Sequence, residues 1–175
     1  VLALLVAAGV RSTVGDALTG RWRDTPAIVA AIVAAAVAGK AAGGVLADRI
    51  GWRLSGVLAL AMLAPLAPLA LTSVPAAVAG TLLSQLTMAV TLAGVCAALP
   101  GRPGVAFGLT SLALLIGAIP ALTHFFARHD AELYLQPMVL VALLAIFVGL
   151  GLVPRRQDTA AVPGATGPAP TRLWK

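Results

Sequence analysis

The chain has 175 residues, of which 60% are hydrophobic and 10% are charged, whereas a soluble domain carries about a quarter charged residues. This composition excludes a soluble globular domain and predicts a membrane protein whose helices pack closely through small residues. The net charge of +6 comes from single bases at the ends of apolar runs, which is typical of membrane loops and argues against nucleic-acid binding.

Six apolar runs each approach the roughly 20 residues that cross a bilayer as a helix. They predict an all-α, polytopic bundle in the plasma (inner) membrane, with spans at about 1–19, 26–47, 54–71, 76–99, 104–127 and 135–153. Residues 154–175 are rich in Pro, Ala, Gly and Thr and predict a disordered tail. The chain begins inside an apolar run without a methionine, so we expect a piece of a longer protein.

Helix 1 contains polar and charged residues within its apolar run. Ser12, Asp16 and Thr19 share one face by helical spacing, and Arg11 lies to one side. A charge at the bilayer centre costs roughly 2.5–3.5 kcal/mol unless it faces protein or water. Arg11 and Asp16 therefore indicate either a polar cavity or, for Asp16 especially, an anchor at the outer interface.

Helix 2 carries Lys40 in its later half. Its ammonium either reaches the cytoplasmic surface along the flexible stem or faces the same cavity as Arg11. The spacing Gly39-x-x-x-Gly43 permits tight packing of a neighbouring helix and is predicted to be structural.

The segment Gly44–Arg53 concentrates charge between two apolar runs, so it must lie at a water interface. Asp48 is placed to accept hydrogen bonds from backbone N–H groups at the start of the next helix. Arg49 and Arg53 are four residues apart and share a face if that helix has begun. The other possibility is a plain cytoplasmic anchor.

This segment, Gly-Val-Leu-Ala-Asp-Arg-Ile-Gly-Trp-Arg, resembles the signature loop of the major facilitator superfamily of secondary transporters. Gly44, Asp48, Arg49, Gly51 and Arg53 match, whereas Trp52 stands where a basic residue is usual. The resemblance implies one six-helix half of such a carrier, and the weakened loop and the tail favour the C-terminal half. Leu46 and Ala47 match as well. The resemblance also implies that Gly44, Asp48, Arg49, Gly51 and Arg53 form a cytoplasmic gating loop.

Helix 4 has a polar stripe that includes Ser84, Thr87 and Thr91. Hydroxyls can bond to the preceding turn of their own helix, so the stripe alone is a weak signal. Gln85 is stronger, because its amide requires partners in lipid. We predict that Gln85 and Thr91 contribute to the lining of a pore.

The fifth span also resembles that of a facilitator half, because the turn around Arg102 leads into a glycine-rich helix.

His124 late in this span is predicted to be interfacial rather than a proton relay. A membrane enzyme would need His124, His129, Asp130 and Glu132 to cluster at the outer face, and a solvated loop explains them more simply. We therefore expect no enzyme, no metal and no cofactor.

Bases are more frequent in the loops after helices 2, 4 and 6 than on the opposite side, which predicts that both termini are cytoplasmic. The resemblance implies alternating-access transport of a small polar or anionic solute, with H⁺ or another ion as a candidate coupling ion. Helices 1 and 4 would line the cavity, so the candidate site residues are Arg11, Ser12, Asp16, Lys40, Gln85 and Thr91. The missing partner would be a second six-helix half or a second copy.

A second hypothesis is a six-helix membrane protein that does not transport by itself. It would be a homodimerising half, or an assembly or regulatory subunit. The glycine spacings of helices 2 and 5 would then form its oligomer interface.

Overall fold

The computed structural model describes residues 1–123 and 131–153, and in them the chain forms long α-helices and no β-strand. The helices are α1 (Leu2–Thr19), α2 (Pro26–Ile50), α3 (Trp52–Ala70), α4 (Val74–Ala98), α5 (Pro103–Leu122) and α6 (Ala131–Gly151). A short 3₁₀ turn, Gly20–Trp22, extends α1. All six helices contain a stretch long and apolar enough to span a membrane, which confirms the predicted all-α integral membrane protein.

The ends of the helices follow from proline and glycine. A proline stands in the first turn of α2, α4 and α5, where its missing N–H has no helical partner to lose. Gly51 is the single residue between α2 and α3, and its φ of +89° is strained for other residues. Pro65 and Pro68 lie inside α3, which nevertheless continues to Ala70.

Helices α1 and α4 occupy the centre of the bundle. Helix α1 packs on α5, α6 and α4, and α4 packs on α2, α3 and α1, while α3 contacts α6. Exchanging the first three helices with the last three reproduces these main contacts. Because each set crosses the membrane an odd number of times, the two sets have opposite orientations. The contacts are therefore those of two interlocked, inverted three-helix sets, in which α1 and α4 each pack mainly on helices of the other set.

The apolar core lies where these central helices meet their neighbours. Leu4 and Leu18 of α1 are fully buried, and Val90 of α4 and Val139 of α6 belong to the same cluster. Helix α6 turns Val139 and its helical neighbours inward and exposes its other apolar face, as expected of a helix that both supports the bundle and meets lipid.

Glycines allow α2 and α5 to approach the central helices closely. A Cβ at Gly39 or Gly43 would collide with the backbone of α4 at Leu82 or Leu86, and one at Gly117 would collide with Gly9 of α1. The packing role predicted for Gly39 and Gly43 is confirmed. The second hypothesis was wrong for helix 2, because Gly39 and Gly43 contact α4 of the same chain and are not free for an oligomer interface. In α5, Gly117 contacts α1, whereas Gly104 and Gly108 have nothing within 4 Å.

Candidate functional site

Arg11 is the buried charge around which the candidate site is built. Its residue surface is only 6% exposed, because α1 presents it toward α4 rather than toward the outside of the bundle. Its Nη1 donates a hydrogen bond to Oε1 of Gln85, at 3.3 Å. Its Nε is buried and has no hydrogen-bond partner. The guanidinium thus has one neutral acceptor and an unsatisfied donor.

This pair lies midway along both central helices. Arg11 is nine residues from Leu2 and eight from Thr19, and Gln85 is eleven residues from Val74 and thirteen from Ala98. Both side chains are therefore near the middle of the hydrocarbon layer, at the junction of the two three-helix units. The sequence analysis named both residues as candidates but did not predict that they contact each other. The available signal was that each is a polar residue in the middle of an apolar helix.

Lys40 lies at a similar depth on α2. The preceding residue, Gly39, is so close to α4 that its Cβ would lie 3.1 Å from Cβ of Gln85. Lys40 itself is exposed, and ten residues separate it from Ile50, about 15 Å along the helix. Asp48, in the segment assigned to the water interface, is eight residues from Lys40, about 12 Å, so the position of Lys40 fits both the surface and the cavity interpretation.

Asp16 pairs with an arginine at the end of its own helix. Its Oδ1 lies 3.5 Å from Nη2 of Arg23, in a pair whose side chains are 30% and 59% exposed respectively. This is the one ion pair within the described residues, and it belongs to the end of α1. Asp16 is therefore paired with Arg23 and not with Arg11. Ser12, on the same face, is half-buried.

The hydroxyl stripe of α4 bonds within its own helix. Thr91 Oγ1 donates to the carbonyls of Thr87 and Met88, both at 3.0 Å, and Ser84 Oγ donates to Thr81 at 2.9 Å. Thr91 is 1% exposed and lies six residues beyond Gln85, about 9 Å along the helix. The structure does not bring Thr91 to the Arg11–Gln85 pair.

The predicted gating loop consists mainly of helix ends. Helix α2 continues through Gly44, Asp48 and Arg49 to Ile50, because nothing before Gly51 interrupts it. The capping role of Asp48 was wrong, since no side chain caps the start of α3. Arg49 and Arg53 do not share a helix face, because they belong to α2 and α3.

Arg53 instead contributes to the packing of α3 on α6. Its guanidinium carbon lies 4.3 Å from the centroid of the Phe147 ring, a cation–π contact. Asp48 and Arg49 are exposed and form no ion pair with any residue of 1–123 or 131–153. A latch that uses them would therefore have to engage something outside these residues.

Two further polar contacts were not anticipated from the sequence. Thr13 Oγ1 donates to the carbonyl of Gly117 at 2.6 Å and joins α1 to α5. Trp22 Nε1 donates to the carbonyl of Ala70 at 3.0 Å and joins the ends of α1 and α3. Both join α1 to other helices across the bundle, so residue spacing within one helix could not have indicated them.

Several predictions concern residues outside the described part of the chain. These are the last part of the predicted fifth span, the roles of His124, Arg128, His129 and Asp130, and the tail 154–175. The side chain of Glu132 also lies outside it.

No family model matches the chain, and neither curated proteins nor solved structures show a significant similarity to it.

Proposed function

We propose that this chain is one six-helix half of a secondary carrier of the major facilitator type, which moves a small polar or anionic solute across the plasma membrane by alternating access. The observation that carries the proposal is the buried Arg11–Gln85 pair, halfway along the two central helices. Ionisable residues at such depth are costly and are usually functional.

The arrangement of the helices supports the same proposal. Facilitator halves are built from inverted three-helix repeats, with substrate sites near the bilayer midplane where repeats meet. In this chain α1 and α4, the helices that carry Arg11 and Gln85, belong to different three-helix sets and each packs mainly on helices of the other set. Coupling to H⁺ or another ion, cytoplasmic termini, and a partner in the form of a second six-helix unit or a second copy belong to this proposal.

The test is solute flux by the intact protein in proteoliposomes, with Arg11→Ala compared with Arg21→Ala. Arg21 is exposed at the end of α1, so its loss removes the same charge without touching the buried pair. We expect Arg11→Ala to reduce flux to background and Arg21→Ala to retain it. Equal flux in the two variants would remove Arg11 from the transport site. Absence of flux in the unmodified protein would favour a non-transporting membrane protein.

A further inference from the structure

We infer that the solute bound at the Arg11–Gln85 pair is an oxyanion, with a carboxylate or phosphate group, and that Gln85 is a positioning residue that holds the guanidinium for it. This inference rests on the proposed function and adds the chemical class of the solute.

The first argument is the balance of charge at the middle of the bundle. Arg11 and Lys40 place positive charge at similar depth. The acidic residues of 1–123 lie at or near helix ends, namely Asp16, Asp24 and Asp48, and Asp16 is already paired with Arg23. A buried charge without an opposite charge is strongly destabilising. A bound anion would compensate it, whereas a cation would be repelled and a neutral solute would leave it uncompensated.

The second argument is the hydrogen bonding of Arg11. A guanidinium has five donors and suits the oxygens of carboxylates and phosphates. Among the described residues Nη1 donates to the neutral amide of Gln85, and the buried Nε has no partner. Gln85 therefore fixes the orientation of the group without neutralising it, which leaves its charge for a ligand.

The third argument concerns Lys40, which is exposed beside the helix contact that includes Gln85. A charged side chain at mid-membrane depth faces protein or water rather than lipid. The surface of α2 around Lys40 is thus expected to border a hydrated space, where a second positive charge would attract an anion.

The decisive variant is Gln85→Glu, which has nearly the same shape and would place a carboxylate beside Arg11. We would measure thermal unfolding of the full chain in nanodiscs, with and without lactate, succinate or inorganic phosphate. Lactamide and succinamide serve as neutral controls. We expect at least one of the anions, and neither amide, to raise the unfolding temperature of the unmodified protein. In Gln85→Glu the ligand-free protein should be at least as stable, and the anion-dependent rise should be lost.

If Gln85 were merely structural, Gln85→Glu would lower both the ligand-free unfolding temperature and its rise with anion. A ligand-free protein that stays stable while the anion-dependent rise is lost identifies a positioning role. Should Gln85→Glu fail to fold, Lys40→Gln provides the second test, because Lys40 is exposed and its loss should weaken anion affinity by about tenfold or more. Equal effects of amides and anions, no effect of any anion, or an unchanged rise in both variants would overturn the inference.

The outcomes separate this inference from the proposed carrier. Flux of a neutral solute that depends on Arg11 would support the carrier and contradict the anion site. Anion-dependent stabilisation without any flux would support the anion site and contradict the carrier.

Discussion

A buried arginine in the middle of a membrane helix needs partners, and Arg11 obtains only one among residues 1–123 and 131–153. Burial of a charge is repaid when geometry and hydrogen bonds are good, yet the acceptor at 3.3 Å is a neutral amide and Nε has no partner. The nearest acid along the helix, Asp16, is held by Arg23. At this position the chain thus retains an uncompensated charge, which is the physical basis for assigning a ligand to it.

Thr13 shows the opposite case, a polar residue used for stability. Thr13→Val removes the hydrogen bond to the Gly117 carbonyl and should destabilise the protein by about 0.6–1.7 kcal/mol, the range for bonds between membrane helices. Thermal or denaturant unfolding in detergent measures the change. The matched control is Thr110→Val, because Thr110 is equally buried but donates only within its own helix, to Ala106. A loss no larger than that of the control would show that the bond to Gly117 contributes little.

At the scale of elements, close approach of helices distinguishes α2 and α5 from the others. Each presents glycine to a central helix, α2 to α4 and α5 to α1. Much of their remaining surface is exposed and apolar, as at Val33 and Val37 of α2. Lipid-immersed helices gain little from apolar attraction to each other, so small residues that let backbones meet decide which faces associate.

The adjacent residues Gly43 and Gly44 of α2 test whether glycine is required where α2 contacts α4. Gly43→Ala would place a Cβ 3.0 Å from the carbonyl carbon of Leu86 and closer still to its oxygen, so we expect a loss of about 1–3 kcal/mol from overpacking. Gly44→Ala meets nothing within 4 Å and should be neutral or stabilising by up to about 1 kcal/mol, because alanine favours the helix. Unfolding of the two variants under identical conditions measures the difference. Similar stabilities would contradict the packing of α2 on α4 described above.

For the whole molecule, the inverted arrangement of the two three-helix units places the Arg11–Gln85 pair at their junction. Helix α1 packs mainly on α5 and α6, and α4 packs mainly on α2 and α3, so a small shift of one of these groups against the other changes the surroundings of Arg11. This position suits a site that must be reached alternately from two sides, as the proposed function requires.

The orientation in the membrane gives a prediction at this scale. In a Cys96→Ala background, Arg102→Cys lies in the turn between α4 and α5, and Thr72→Cys lies in the turn between α3 and α4. Because bases favour the cytoplasm, a membrane-impermeant maleimide added to intact cells should label Thr72→Cys and not Arg102→Cys. After the cells are opened, both should be labelled. The reverse pattern would mean that the chain is oriented the other way.

Much of the fold could be predicted from local features of the sequence. Each span was recognised because a bilayer demands a long apolar helix whatever the rest of the chain does. The main local error was at Gly44–Arg53, where charge was taken as a sign of a loop. Charge identifies the water interface but does not interrupt a helix, and only Gly51, with its positive φ, separates α2 from α3.

The sequence by itself determined the membrane class, the six helices and the residues too polar for lipid, because hydrophobicity and helix propensity act along the chain. Only the tertiary structure decided how those residues are used. It pairs Arg11 with Gln85 and Asp16 with Arg23. The hydroxyl of Thr91 bonds to its own helix, and Gly43 and Gly117 pack against neighbouring helices of the bundle. These outcomes depend on which helix faces meet, and that is set by packing between segments far apart in the chain.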